Sequence, residues 1–142
     1  MSQFSRLLFS GRSLGPLWTD LGWAVARVFF GAAMALAHGL PKMPPSGGFV
    51  DRVGDLGFPA PLFFAWLVAL GETIGGTLVA LGLATRFGAL WVALIMAVAA
   101  FHAHGADSFG GKEMALAYLC AMVPFILGGA GRFSLDHLLR RA

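Results

Sequence analysis

Residues 58–104 read FPAPLFFAWLVALGETIGGTLVALGLATRFGALWVALIMAVAAFHAH, and this stretch decides the fold. Only Glu72 and Arg86 in it carry a formal charge, and the turn signal Thr85-Arg86 divides it into two apolar segments. Each segment approaches the length of about 20 residues that an α-helix needs to cross the hydrocarbon core of a membrane. The stretch therefore predicts two transmembrane helices joined by a short turn.

The composition of the whole chain favours lipid as its solvent. Of 142 residues, 58% are hydrophobic and 12% are charged, which is about half the charged fraction of an ordinary soluble domain. So few charged groups could not cover the surface of a soluble globule. The net charge of +3 is spread singly along the chain, without the basic face that nucleic-acid binding requires. We expect a lipid bilayer around the protein and no nucleic-acid partner.

Two further apolar segments flank the central stretch. We predict spans at residues 18–40, 58–83, 87–104 and 113–131, separated by loops rich in proline and glycine. Arg27 interrupts the first apolar run, so we expect that run to remain as a span rather than to be removed as a signal peptide. The predicted fold class is all-α: a single transmembrane domain, residues 1–142, folded as a four-helix bundle with antiparallel spans.

Basic residues outside the predicted spans are unevenly distributed. Lys42, Arg52 and Lys112 lie on the side of the first and third loops, whereas twice as many basic residues lie on the other side. Because Lys and Arg accumulate on the cytoplasmic side of membrane proteins, we expect both termini to be cytoplasmic, in a bacterial inner membrane. The basic residues of that side are Arg6, Arg12, Arg86, Arg132, Arg140 and Arg141. Apolar residues expected to lie along the membrane surface are Phe4, Leu7, Leu8, Leu135, Leu138 and Leu139.

Arg27 and Glu72 are ionisable residues deep within the predicted spans. Counted at 1.5 Å per residue from the cytoplasmic ends of their helices, they lie roughly 14 Å and 16 Å deep. An unpaired charge at such a depth would cost several kcal/mol. We therefore predict an Arg27–Glu72 ion pair between the first two helices.

A second group of ionisable residues gathers near the outer ends of the spans. His38 shares a helix face with Arg27, because the two are separated by eleven residues at helical spacing. Lys42 follows it, while His102 ends the third span and Glu113 begins the fourth. We predict that these helices form a polar pocket open to the outer leaflet, with His38, His102 and Glu113 in its lining. The candidate ligand-binding residues are Arg27, His38, Lys42, Glu72, His102 and Glu113.

The same polar residues also permit a purely structural interpretation. The deep pair would then only fix helix register, and the histidines would bond water or backbone in the headgroup region. A metal site is not predicted. Cys120 is the only cysteine, which excludes a disulfide or a CxxC pair within the chain. His102 and His104 would point about 200° apart on a continuous helix, too far to bind one metal ion together.

Several short motifs follow one another in a fixed order along nearly the whole chain. They are Arg27-x3-Gly31, His38-Gly39-x2-Lys42, Gly57-Phe58-Pro59, Glu72-x2-Gly75-Gly76, Leu81-Gly82-Leu83-x-Thr85-Arg86, His102, Glu113 and Gly131-Arg132-Phe133-Ser134-Leu135-Asp136. In this order and placement the sequence resembles the DoxX family of small four-helix membrane proteins. The family is associated with quinone-linked redox chemistry, including a small subunit of thiosulfate:quinone oxidoreductase. The resemblance therefore implies a four-helix membrane fold and a link to quinones.

Three functions compete at this point. The first is a membrane subunit of a quinone-linked oxidoreductase, whose outer polar residues exchange protons with the quinone head group. A partner protein would then supply electrons, because the chain has no dithiol and no recognisable flavin or nicotinamide motif. The second is a non-catalytic module that anchors or assembles a redox complex, or forms a homo-oligomer, through its small-residue faces. The third, less favoured, is a haem-binding subunit with His38 and one of His102 or His104 as axial ligands.

The topology can be tested by cysteine-accessibility labelling. Ser46→Cys and Ser108→Cys should react with a membrane-impermeant reagent from outside, because the loops that hold Lys42 and Lys112 are expected to face outward. Modification of either cysteine only after the inner face is exposed would reverse the predicted orientation.

Overall fold

The computed structural model describes residues 15–140. Residues 1–14 and 141–142 lie outside the described part of the chain. Several expectations fall on those residues and stay predictions: the surface position of Phe4, Leu7 and Leu8, and the cytoplasmic position of Arg6, Arg12 and Arg141.

Every regular element between residues 15 and 140 is helical. Four helices in this range are long and apolar enough to cross a membrane: α1 (Pro16–Lys42), α3 (Pro61–Leu81), α4 (Thr85–Ala103) and α5 (Phe109–Gly128). Two short helices complete the chain, α2 (Gly47–Asp55) in the first loop and α6 (Leu135–Leu139) after the last span. The predicted all-α membrane fold is confirmed, with helix ends a few residues from their expected positions.

The ends of the spans follow from local chemistry. Pro16 and Pro61 stand at the starts of α1 and α3, where a missing N–H costs nothing and the fixed φ favours a helix. Gly82 ends α3 in a left-handed conformation, with φ of 71°, the usual helix stop. The bundle thus has a terminal end, formed by the Gly82–Thr85 turn and α6, and a distal end, formed by α2 and the turn before α5.

The core lies where the four long helices meet, and small residues set how closely they approach. Met34, Val79 and Val92 are fully buried there. On α3, Gly76 lies so close to α1 that a Cβ atom built on it would stand 2.8 Å from the backbone nitrogen of Ala35. The backbones of α1 and α3 thus approach closely, as small residues allow in membrane helices. Large apolar side chains cover the outside of the bundle instead.

Three of the long helices contain a π-helical turn. The turns are Met34–Gly39 in α1, Gly71–Gly75 in α3 and Ala99–Ala103 in α4. The first and third lie near the distal end, and the second lies at the middle of α3. A π turn widens the helix and shifts the side chains that follow it, and such turns are frequent at functional sites. The regular packing of the bundle is thus interrupted between the middle of α3 and the distal end.

Arg27 is buried at the terminal end of the bundle, with 2% of its surface exposed. Its guanidinium donates to the carbonyl oxygens of Val79 at 2.7 Å, Ala80 at 2.6 Å and Phe133 at 2.7 Å. Val79 and Ala80 lie in the last turn of α3, where N–H partners for carbonyl groups run out and the helix dipole is negative. The Val79 oxygen also accepts the N–H of Gly82 at 3.1 Å. The arginine therefore neutralises the end of α3 and binds it to the segment before α6.

The predicted Arg27–Glu72 ion pair is wrong. Gly39 packs against the backbone of Thr73, which places Glu72 level with a part of α1 about 18 Å beyond Arg27. The equal depths were miscounted because α1 starts beyond the end of α3: Trp23, seven residues into the helix, already packs on Gly128 and Gly131. Side chains also lean toward the start of their helix, so those of Arg27 and Glu72 point to opposite ends.

Asp136 supplies the acidic charge that acts on Arg27. Its carboxylate accepts the backbone N–H groups of Ala84 at 2.8 Å and Thr85 at 3.1 Å, at the start of α4, where a negative charge is favourable. Partial burial acts to raise the pKa of Asp136, but the hydrogen bonds from Thr85 and Ala84 and the charge of Arg140 outweigh it, and the pKa lies below its usual value. Asp136 thus stays ionised as the cap of α4.

Replacing Arg27 by lysine should destabilise the fold by about 2 kcal/mol or more, since a single ammonium cannot reach three carbonyl groups in the geometry of a guanidinium. Thermal unfolding in detergent would measure the change. The matched control is Arg132→Lys, an exposed arginine, which should leave the midpoint unchanged. Equal midpoints for both variants would contradict the structural role of Arg27.

Candidate functional site

An ion pair joins the distal end of α1 to the middle of α3. Lys42, the last residue of α1, donates to the carboxylate of Glu72 in the π turn of α3. The Glu72 side chain is 2% exposed and that of Lys42 is 31% exposed. Glu72 is thus held inside the membrane span, beside a lysine that is partly exposed.

This ion pair stands at the wall of a cavity of about 490 Å³ between α3 and α4, covered by α2. The lining is mostly apolar, and Leu94, which lies in it, is 59% exposed on the side of the bundle. The cavity therefore opens sideways, toward the position of lipid. Its lining residues are Lys42, Phe49, Arg52, Val53, Leu56, Phe58, Phe64, Leu67, Val68, Glu72, Trp91, Leu94, Ile95, Val98, Ala99, Ala103 and His104.

Two local features shape the cavity. Gly71, one residue before Glu72, has no side chain where Trp91 and Ile95 of α4 approach: a Cβ atom there would stand 2.7 Å from Cε2 of Trp91. The indole ring can therefore lie against α3. On the other side, the Ser46 hydroxyl accepts the N–H of Phe49 at 3.3 Å and caps α2. That helix places Phe49 over the ion pair, with the Lys42 ammonium 5.9 Å from the ring centre, within the range of a cation–π contact.

Of the six predicted ligand-binding residues, the structure brings Lys42 and Glu72 together. His102 lies beside them without lining the cavity: its Nε2 is 2.9 Å from the carbonyl oxygen of Leu56, and its ring packs edge-on against Phe58. Both contacts are with the segment that joins α2 to α3. His102 thus fixes the chain that covers the cavity.

The other three predicted residues lie elsewhere. His38 packs edge-on against Tyr118 of α5, with ring centres 5.2 Å apart, and Arg27 is at the terminal end. Glu113 is exposed in the second turn of α5. The structure therefore does not bring His38, His102 and Glu113 into one pocket. The prediction compared their depths in the membrane, and depth does not determine the direction in which a side chain points around its helix axis. Nor does it place His38 opposite His102, as paired haem ligands would require.

Most of the lining was not predicted as part of the site, including Arg52, His104 and Trp91. Arg52 belongs to α2, a segment expected to be loop, and the Ser46 cap before an apolar–polar repeat was the signal that could have revealed this helix. His104 stands at the cavity with its Nδ1 2.8 Å from the Asp107 carboxylate. Trp91 lies in α4 within the cavity wall.

The site combines apolar walls, aromatic faces and one ionised pair. A flat, lipid-soluble molecule that carries polar oxygens would match both components, since the apolar walls would bury its ring and the ion pair would offer a hydrogen-bond donor and an acceptor.

The two halves of the ion pair should respond differently to mutation. Lys42→Met would leave the buried Glu72 carboxylate without its partner and should cost about 2–4 kcal/mol. Glu72→Gln would leave the Lys42 ammonium without its carboxylate. Because Lys42 is partly exposed, the free energy of unfolding should fall by only about 1 kcal/mol. Thermal unfolding of both single variants and the double variant would measure this. Additive losses in the double variant would contradict a direct interaction.

Comparison with known proteins agrees with this architecture. The family model described as DoxX matches residues 22–105. The chain is 31% identical over 121 residues to an uncharacterized protein of Haemophilus influenzae, covering 80% of each chain. It is 30% identical over 118 residues to a Bacillus subtilis protein named "Putative oxidoreductase CatD", covering 82% of this chain and 86% of the relative. No solved structure matches the chain significantly. The DoxX model matches more than half of the chain, and the chain has four helices long and apolar enough to cross a membrane. The chain therefore belongs to the DoxX family of integral membrane proteins.

Proposed function

We propose that the protein binds a membrane quinone in the cavity between α3 and α4 and serves quinone-linked redox chemistry. The observation that carries the proposal is the Lys42–Glu72 pair at the wall of an apolar cavity that opens to the side of the bundle. A redox function is also supported by the relative whose name describes it as an oxidoreductase. The proposed site replaces the predicted pocket around His38 and Glu113.

The cavity suits a quinone in size and access. Its volume of about 490 Å³ falls in the range of roughly 300–1,000 Å³ typical of small-molecule sites. A quinone moves within the bilayer, so a sideways opening near Leu94 and Val98 would admit it without passage through water. Trp91, Phe49 and Phe64 offer ring faces and edges against which a quinone ring can pack.

The ion pair supplies the polar chemistry that a quinone head group needs. Reduction of a quinone to a quinol takes up two electrons and two protons, one on each oxygen. The Lys42 ammonium can donate a hydrogen bond to one quinone oxygen, and the Glu72 carboxyl group can exchange a proton with that same oxygen. The Lys42 side chain, which is 31% exposed, would be the path by which these protons are replaced. Electrons would come from a protein partner.

The competing function is a non-catalytic anchor or assembly module. Arg27 favours it in one respect, because that buried charge serves the helix ends and does not line the cavity between α3 and α4. If Lys42 and Glu72 also had only a structural role, the cavity would be filled by lipid tails. Quinone binding that depends on the pair distinguishes the two functions.

Quinone titration of purified protein tests the proposal through tryptophan fluorescence. A quinone in the cavity should quench Trp91 saturably, and Trp91→Phe should remove much of that quenching. Lys42→Met and Glu72→Gln should each weaken the affinity about tenfold, the equivalent of one good polar contact.

Two controls locate the site. Lys112 lies at the distal end of the bundle but does not line the cavity. The Lys112→Met variant should therefore bind quinone like the parent protein. His38→Ala should also bind normally, since His38 faces Tyr118. Loss of binding in His38→Ala with full binding in Glu72→Gln would reject the cavity, and the absence of saturable quenching in the parent protein would favour the anchor.

A further inference from the structure

A second, smaller cavity lies at the terminal end of the bundle, remote from the Lys42–Glu72 pair. Its volume is about 170 Å³, and it is bordered by the chain reversal after α5 and by α6. The chain reversal contains only glycines and one alanine, Gly128 to Gly131, so the space above it stays open. The remaining lining residues are Arg86, Ser134, Asp136, His137 and Arg140.

The lining is basic. Arg86 and Arg140 contribute two guanidinium groups, whereas Asp136 contributes one carboxylate, and both oxygens of that carboxylate already accept N–H groups at the start of α4. Arg86 is anchored over the chain reversal by a hydrogen bond of 3.2 Å from its Nη2 to the carbonyl oxygen of Leu127. The cavity therefore presents unbalanced positive charge.

His137 adds an unused polar group. Its Nε2 atom is shielded from solvent and has no hydrogen-bond partner among residues 15–140. An imidazole nitrogen in that state normally finds a partner, since a buried polar group without one costs free energy. His137 lines the cavity, so a rotation of its ring would bring this nitrogen to an oxygen-rich anion bound there.

The surroundings place this cavity at a membrane surface. Leu127, in the last turn of α5, is 73% exposed, and Leu138 and Leu139 of α6 are 62% and 65% exposed. Trp18, near the start of α1 at the same end, is 60% exposed, and tryptophan accumulates at membrane interfaces. Acyl chains beside these apolar groups would bring lipid headgroups to the level of the two arginines.

We propose that this basic cavity binds a phosphate group, carried by the headgroup of an anionic phospholipid. Arg86 and Arg140 would contact the phosphate oxygens, as arginine does through its planar set of donors, and Nε2 of His137 would donate a third hydrogen bond. Leu127 would contact the acyl chain below. Basic pockets at the ends of membrane helices bind anionic lipids by this combination of charge and apolar contact.

Lipid binding can be measured by native mass spectrometry of the full chain released from micelles. The parent protein should retain phosphatidylglycerol in preference to phosphatidylcholine, whose headgroup carries its own cation. Arg86→Gln and Arg140→Gln should each reduce that affinity about fivefold, the effect of one basic residue near a lipid surface. Arg132→Gln, an exposed arginine at the same end that does not line the cavity, should bind like the parent protein.

The remaining outcomes decide against the proposal. Equal losses in all three arginine variants would mean a general surface charge effect, and no preference for phosphatidylglycerol would exclude an anionic lipid site. Thermal stabilisation by inorganic phosphate alone, without stabilisation by phosphatidylglycerol, would assign the cavity to free phosphate. If Arg86→Gln fails to fold because its bond to Leu127 is lost, Arg140→Gln gives the same test, since Arg140 lies at the exposed end of α6.

Discussion

Hydrocarbon provides no hydrogen bonds, so each charge buried in a membrane span must be satisfied within the protein. This constraint governs both ends of the bundle. At the terminal end, Arg27 donates to the last carbonyl groups of α3, and Asp136 accepts the first N–H groups of α4. At the distal end, Lys42 and Glu72 satisfy each other. The first arrangement holds backbone ends together, whereas the second leaves charged side chains beside an open cavity.

The difference between the two ends explains why we assign function to only one ion pair. All three guanidinium bonds of Arg27 go to backbone oxygens, and its surroundings are filled by Gly82 and Ser134. Glu72 instead lies in a π turn, next to a glycine that admits Trp91. The helix is irregular at that point, and a cavity large enough for a ligand lies beside it. We therefore assign a structural role to Arg27, which is packed against backbone, and a functional role to Glu72, which borders the cavity.

Most of the architecture could be predicted from the sequence, because the length of each apolar run is set directly by membrane thickness. Four spans followed, and the importance of Arg27 and Glu72 was correctly recognised from their depth. Their partners were not, since depth was counted from helix ends that were assumed to lie level, whereas α1 starts beyond the end of α3. Rotation about each helix axis was a second unknown, and it separated His38 and Glu113 from the cavity. The π turns, which shift side chains in three of the spans, have no reliable sequence signal.

The central claim is that a quinone occupies the space between α3 and α4. Photoaffinity labelling of the protein in membranes with an azidoquinone, followed by identification of the modified peptides, tests its location most directly. Labels should fall on residues 64–72 of α3 and 91–99 of α4, and excess unlabelled quinone should remove them. Labels that concentrate instead around His38 and Tyr118, between α1 and α5, or that resist competition, would contradict the assignment.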